Sequence, residues 1–228
     1  MEVATGAGGQ FPARTEAFGY TCNRCLRCCH DKHIQVNPYE VARIARNRGM
    51  STGECRERWT VDGQGTVLKQ ADSGACVFLG TEGCTIHADR PLVCRLYPLG
   101  RHVSADGSER FSHVQPHPQT AGEYTGKGTI ADFLSAQGAA PYMSAADEYF
   151  FWLCRAQQVA ERAAPPHPTA QSDNAVELAQ QYLDMDTAIA EHCAQHGTSA
   201  PQDIEARRRL HLQILDNLLA QWATGGEP

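Results

Sequence analysis

The sequence predicts a mainly α-helical protein with an irregular, cysteine-rich core and a C-terminal helical extension. Three observations predict it. Helix starts are signalled twice early on: Asn37-Pro38-Tyr39-Glu40 and Ser51-Thr52-Gly53-Glu54 both have the spacing of a capping box. Near the C-terminus, Ile204, His211, Ile214, Leu215, Leu218, Leu219 and Trp222 recur at helical intervals as one amphipathic stripe. Finally, seven of the ten cysteines fall into two tight groups, Cys22, Cys25, Cys28 and Cys29, then Cys76, Cys84 and Cys94.

In chain order, residues 1–19 read as a mobile tail before the first cysteine group. A helix follows from Asn37 to the stop at Gly49, and a second, short one runs from Ser51 through Trp59. Gly63, Gly65 and Val67-Leu68 suggest a turn leading into a short strand. Gly80 and Gly83 mark a turn between Cys76 and Cys84, and Pro91 and Pro98 bracket a short element carrying Cys94. Residues 100–128, rich in His, Gly, Pro and Ser, read as irregular. Thr129 caps a further helix that buries Phe133 and Leu134, and Ser144 caps a long one reaching about Ala163. Pro165-Pro166-His167-Pro168 is a stiff break, and helices are expected near 173–195 and 202–222. The division that follows is a tail (1–19), a cysteine-cluster domain (20–140) and a helical extension (141–228).

Composition narrows the function classes. Hydrophobic residues make up 42% and charged residues 20%, as in a globular protein. A net charge of −6 and a pI near 5.9 argue against a dedicated nucleic-acid binder. Met1–Gln10 lacks the apolar run of a signal peptide, and no later stretch has the ~20 apolar residues of a membrane span. The expectation is a soluble cytoplasmic protein with neither nucleic acid nor membrane as partner.

In a reducing compartment, cysteines bunched at C-x-x-C spacing are read as ligands rather than disulfides. One loop can then offer two thiolates to the same soft ion. If 22–29 were helical, Cys22, Cys25 and Cys29 would share a face, with Cys28 just beside them. If it is a loop, the two C-x-x-C steps bind as in a zinc knuckle or a ferredoxin loop. Seven thiolates exceed the four that one tetrahedral zinc takes, which points to two metals or an iron–sulfur cluster, with the cluster preferred. His30, His33, His87 and His117 are available to complete either set.

The motif Cys22-x-x-Cys25-x-x-Cys28-Cys29 is followed by Cys76-x-Phe78-Leu79, Gly83-Cys84-x-Ile86 and Arg90-Pro91-x-x-Cys94-Arg95-Leu96-Tyr97-Pro98. Together these resemble the CxxCxxCC cysteine-cluster family, a zinc- or iron-chelating domain that includes the flagellin lysine N-methylases. The resemblance covers roughly residues 20–135. It implies that Cys22, Cys25, Cys28, Cys29, Cys76, Cys84 and Cys94 are the metal ligands, and it is compatible with an iron–sulfur centre. It also brings a catalytic expectation: methyl transfer to a lysine amine, with S-adenosylmethionine as donor and a protein as substrate. The chain departs from the family pattern in carrying His117-Pro118-Gln119 where many members have a Cys-Pro-Gly step, and His87 where an aromatic is frequent. It is also shorter than the lysine methylases.

Two other classes compete with the enzyme: a structural zinc module whose helices bind a partner, and a protein that stores or delivers metal. A homodimer contact through the C-terminal helices is compatible with all three. Cys55, Cys154 and Cys193 stand alone in expected helices and read as core thiols. Arg90 and Arg95 read as supports of the cysteine loop, and Gly126-Lys127-Gly128 as a turn before the Thr129 helix. Arg207-Arg208-Arg209 reads as a solvated helix face, His211 as a surface or helix-face residue, and Tyr149, Phe150, Phe151 and Trp152 as core.

Overall fold

A computed structural model describes residues 12–163 and 179–223, which divide into two units. The first is formed by the chain up to Gln35 together with Val67–Met143, the second by Val36–Thr66 together with the chain from Ser144 onward. The expected division at residue 140 differs from this one, because 36–66 lies in sequence inside the cysteine domain yet groups with the C-terminal helices.

In the first unit, regular structure comes in short pieces. β1 (Tyr20–Thr21) pairs antiparallel with β6 (Glu123–Tyr124), and β2 (Leu79–Gly80) with β3 (Gly83–Cys84). β4 (Leu99–Val103) and β5 (Glu109–His113) form a hairpin in register from Leu99↔His113 to Val103↔Glu109. That hairpin corrects the reading of 100–128 as irregular. It is closed by a turn over Ser104–Gly107, in which Gly107 N–H donates to the Ser104 carbonyl at 2.9 Å and Gly107 has φ of 83°. The helices here are α3 (Leu92–Leu96) and α4 (Ile130–Ala136), the latter capped reciprocally by Thr129 and Asp132. Phe133 and Leu134 are buried in α4 as expected, and Phe78, Ile86 and Phe111 are among the side chains buried with them in the first unit. Residues 12–19 are not loose. Phe18 is buried, Ala17 bridges Thr129, and Arg14 pairs with Glu109 at 2.5 Å.

The second unit is helical. α1 (Pro38–Arg48) and α2 (Thr52–Trp59) each carry a complete capping box, Asn37 with Glu40 and Ser51 with Glu54, and Gly49 ends α1 with φ of 66°. α5 (Ala140–Ala163), which belongs to this unit from Ser144 onward, starts before the expected Ser144, with Pro141 in its first turn. Residues 179–183 are helical and are followed after a break at Asp184 by α6 (Met185–His196), which divides the described part of the helix expected near 173–195, while α7 (Ile204–Ala223) is the helix expected near 202–222. The proline-rich break at 165–168 lies outside the described residues. Thr52 ties α2 to α6: its N–H donates to the Asp186 carboxylate at 2.8 Å, and its hydroxyl accepts the Asp186 N–H at 3.0 Å.

Two polar side chains on α7 overturn their surface reading. Arg208 is 7% exposed and pairs with Glu205 and Glu148, so it is an internal tie rather than part of a solvated face. His211 is fully buried, with Nδ1 accepting from the Tyr149 hydroxyl and Nε2–H donating to the Gln181 carbonyl, both at 2.8 Å. Tyr149 and Trp152 are core, as are Cys55 and Cys193, whereas Cys154 is half-buried. No helix among the described residues is long and apolar enough to cross a membrane.

Candidate metal centre

The first cysteine group is a loop, not a helix. Only Arg27–Cys29 forms a helical turn, of the tighter 3-10 kind, and the backbone enters the left-handed region at Arg24 (φ 50°), Leu26 (φ 63°) and Asp31 (φ 52°). Residues with side chains avoid that region, so three visits within eight positions mark a stretch whose backbone is set by something other than local preference. Such turns break the helical rotation between successive cysteines. The side chains of Cys25, Cys28 and Cys29 are half-buried, while Cys22 is exposed.

The second group is brought to the first through main-chain pairing. Cys76 N–H donates to the Cys29 carbonyl at 2.8 Å, and next to it His30 bridges Ala75. A turn at Gly74 (φ 77°) makes this possible: Gly74 accepts from Asp31 N–H at 2.8 Å and donates to Ala71. From Cys76 the chain turns, with Leu79 N–H donating to the Cys76 carbonyl, into the hairpin where Cys84 faces Leu79. Cys94 sits in the middle of α3, whose neighbours Leu92, Arg95 and Leu96 are buried. Cys76, Cys84 and Cys94 are all half-buried.

Electrostatics show which thiols are neighbours. The interaction of the adjacent Cys28 and Cys29 thiols lowers Cys28 and raises Cys29. Burial and the nearby Cys94 and Cys84 add to the rise at Cys29. Burial raises Cys76 too, with Cys84 contributing. Cys25 is lowered, chiefly by the Ala121 N–H that donates to its sulfur at 3.3 Å and then by the Arg27 N–H. Cys22 and Cys25 both act on the Tyr20 phenol, whose rise comes mainly from burial. The two cysteine groups therefore occupy one neighbourhood, though among the described residues no three Cys, His, Asp or Glu side chains converge as a ready ligand set.

The residues supporting this neighbourhood include several that sequence reasoning missed. Thr120 and Ala121, from the segment expected to be irregular, flank Cys25. The Thr120 hydroxyl lies 3.7 Å from the sulfur and 3.2 Å from the Tyr20 hydroxyl, while Asn23 donates to the Ala121 carbonyl at 2.7 Å. The available signal was the resemblance itself, whose pattern runs on into 117–119. Tyr97 accepts the His117 N–H at 2.9 Å and lies edge-on to Tyr20 with ring centroids 6.3 Å apart. Arg95 supports the loop as expected: it is 7% exposed and donates to the carbonyls of Arg90, Ala88 and Gln137. Arg90 donates to the His87 carbonyl and to Gln137 Oε1. Gly126 and Gly128, both at positive φ, make the expected turn into α4.

The donor chemistry fits zinc or iron. Seven free cysteines, soft thiolate donors when ionised, are supplied by the 22–29 loop, the turn at Cys76, strand β3 and helix α3 of a single unit, and none is in a disulfide. Residues 21–117 match the model of the CxxCxxCC family, described as a "Putative zinc- or iron-chelating domain". No curated protein and no solved structure matches the chain.

Proposed function

We propose that this chain, whose residues 21–117 form a CxxCxxCC domain, chelates zinc or iron through Cys22, Cys25, Cys28, Cys29, Cys76, Cys84 and Cys94. The observation that carries the reading is the 2.8 Å hydrogen bond from Cys76 to Cys29, which seats the second cysteine group beside the first. Loops held this way can supply thiolates from sequence-distant positions without a regular scaffold.

The chain's own groups do three things there. The Ala121 and Arg27 N–H groups stabilise the thiolate of Cys25, the form that ligates. The adjacent Cys28 and Cys29 shift in opposite directions, the first thiol lowered and the second raised, so the two sulfurs are not equivalent donors. Arg90 lies within electrostatic reach of Cys84 and Cys94 and offsets accumulated thiolate charge. When bound, the metal would supply Lewis acidity or, as a cluster, electron transfer. Seven sulfurs are more than one tetrahedral zinc takes, which favours an iron–sulfur cluster or two ions.

The test is elemental analysis with an absorption spectrum on protein purified without oxygen. Iron with acid-labile sulfide supports the cluster, and about two colourless zinc ions support the two-ion form. Metal-free protein that takes up neither on reconstitution refutes chelation.

A further inference from the structure

We propose that His30 is the nitrogen donor of this centre, through Nε2. The inference rests on the chelating reading above and selects one histidine among the four that the sequence offered.

A neutral imidazole carries one proton, so only the nitrogen without it has a lone pair for a metal. Hydrogen bonds decide which nitrogen that is. In His117, Nδ1 accepts the Gln119 N–H at 3.1 Å, which puts the ring proton on Nε2 and leaves no free lone pair. In His87, Nδ1 faces Arg90 Nη1 at 3.4 Å; a guanidinium can only donate, so the outcome is the same. His33 is exposed, and among the described residues no partner fixes its tautomer. His30 is the reverse case. Its Nδ1 lies 3.2 Å from the Leu26 carbonyl, and a carbonyl only accepts, so Nδ1 holds the proton and Nε2 keeps its lone pair. A ring pinned to a backbone carbonyl through one nitrogen, with the other free, is the arrangement that orients metal-binding histidines.

Position agrees with chemistry. His30 directly follows Cys29 and forms the backbone bridge to Ala75, one step from the Cys29–Cys76 hydrogen bond that joins the cysteine groups. Its ring is half-buried and within electrostatic reach of the Cys28 sulfur. The carbonyl that pins it belongs to Leu26, one of the left-handed residues of the loop, so the backbone turn that spaces the cysteines also holds this imidazole.

Cobalt(II) titration of the metal-stripped full chain tests this, comparing wild type with His30→Ala, His30→Cys and His117→Ala. In wild type, cobalt should give thiolate charge-transfer absorption and ligand-field bands. His30→Ala should shift the ligand-field bands and lower cobalt and zinc affinity by at least roughly tenfold. His30→Cys should restore the affinity and add one sulfur's worth of charge-transfer intensity, and His117→Ala should match wild type. Wild-type bands and affinity in His30→Ala, or no added charge transfer in His30→Cys, would overturn the inference and leave chelation standing. A wild-type protein that shows no bands at all would overturn the chelating reading, and this inference with it.

Discussion

The guanidinium of Arg95 lies 3.9 Å from the centroid of the Tyr142 ring and also donates to that tyrosine's hydroxyl at 2.7 Å. The same side chain satisfies three backbone carbonyls, so a residue adjacent to Cys94 fixes α3 against α4 and the first turn of α5. Replacing the buried Arg95 by Ala removes the donor shared by those acceptors and by the buried Tyr142 hydroxyl, and a loss of about 3 kcal/mol is expected in denaturant unfolding. Lysine should not rescue it, because a single ammonium cannot span the four partners. A change below about 1 kcal/mol in both variants would show that the clamp carries no weight.

Cysteines inside and outside the two groups should separate cleanly. Cys25→Ser and Cys94→Ser are expected to lower bound metal and stability. Cys193→Ala, buried in α6, should lower stability while leaving metal content intact. Metal analysis and thermal unfolding of the three variants check this, and unchanged metal in both Ser variants contradicts the ligand assignment.

Gly74 offers a test of how the groups are joined. Its φ of 77° disfavours any side chain, and an added Cβ would stand 2.1 Å from Asp31 Oδ1. The carboxylate can swing aside but the backbone strain stays, costing roughly 1–2 kcal/mol. Gly74→Ala should therefore weaken both stability and metal retention by loosening the Cys29–Cys76 pairing. Gly49→Ala, at a similar φ but in the second unit, should cost comparable stability without affecting metal.

Acid should act through His211. Burial first, with Arg207 adding, lowers its folded pKa to about 4, below the ~6.5 of an unfolded chain. The unfolded state then binds more protons between those values, so stability rises with pH across that window and is lost as pH falls from about 6.5 to 4. The full difference is about 3 kcal/mol. A nuclear magnetic resonance titration placing the His211 ring near 6.5 in the folded protein would contradict it.

Much of the fold was legible where its cause is local. Asn37–Glu40, Ser51–Glu54 and Thr129–Asp132 announce helices because each pair satisfies amide groups within its own turn. The β4–β5 hairpin carried a local sign as well, Asp106-Gly107 between two five-residue strands, but Gly100, His102 and Ser112 blur the alternation that would have exposed it. Burial of Arg208 and His211 had no local sign. It depends on Glu148, Tyr149 and Gln181, which lie far away in sequence. The cysteine spacing was plain in the residue order. The choice among His30, His87 and His117 was not, because it turns on hydrogen bonds to Leu26, Arg90 and Gln119 that only the folded loops define.

The segment 36–66, which folds with the other unit, also separates Cys29 from Cys76 in time. Peptide synthesis proceeds at about 5–20 residues per second, so Cys22, Cys25, Cys28 and Cys29 are complete for roughly 2–10 s before Cys76 is added. During that interval four nascent thiols have no partners from the second group, and any oxidant or stray ion in reach competes for them before the protein can.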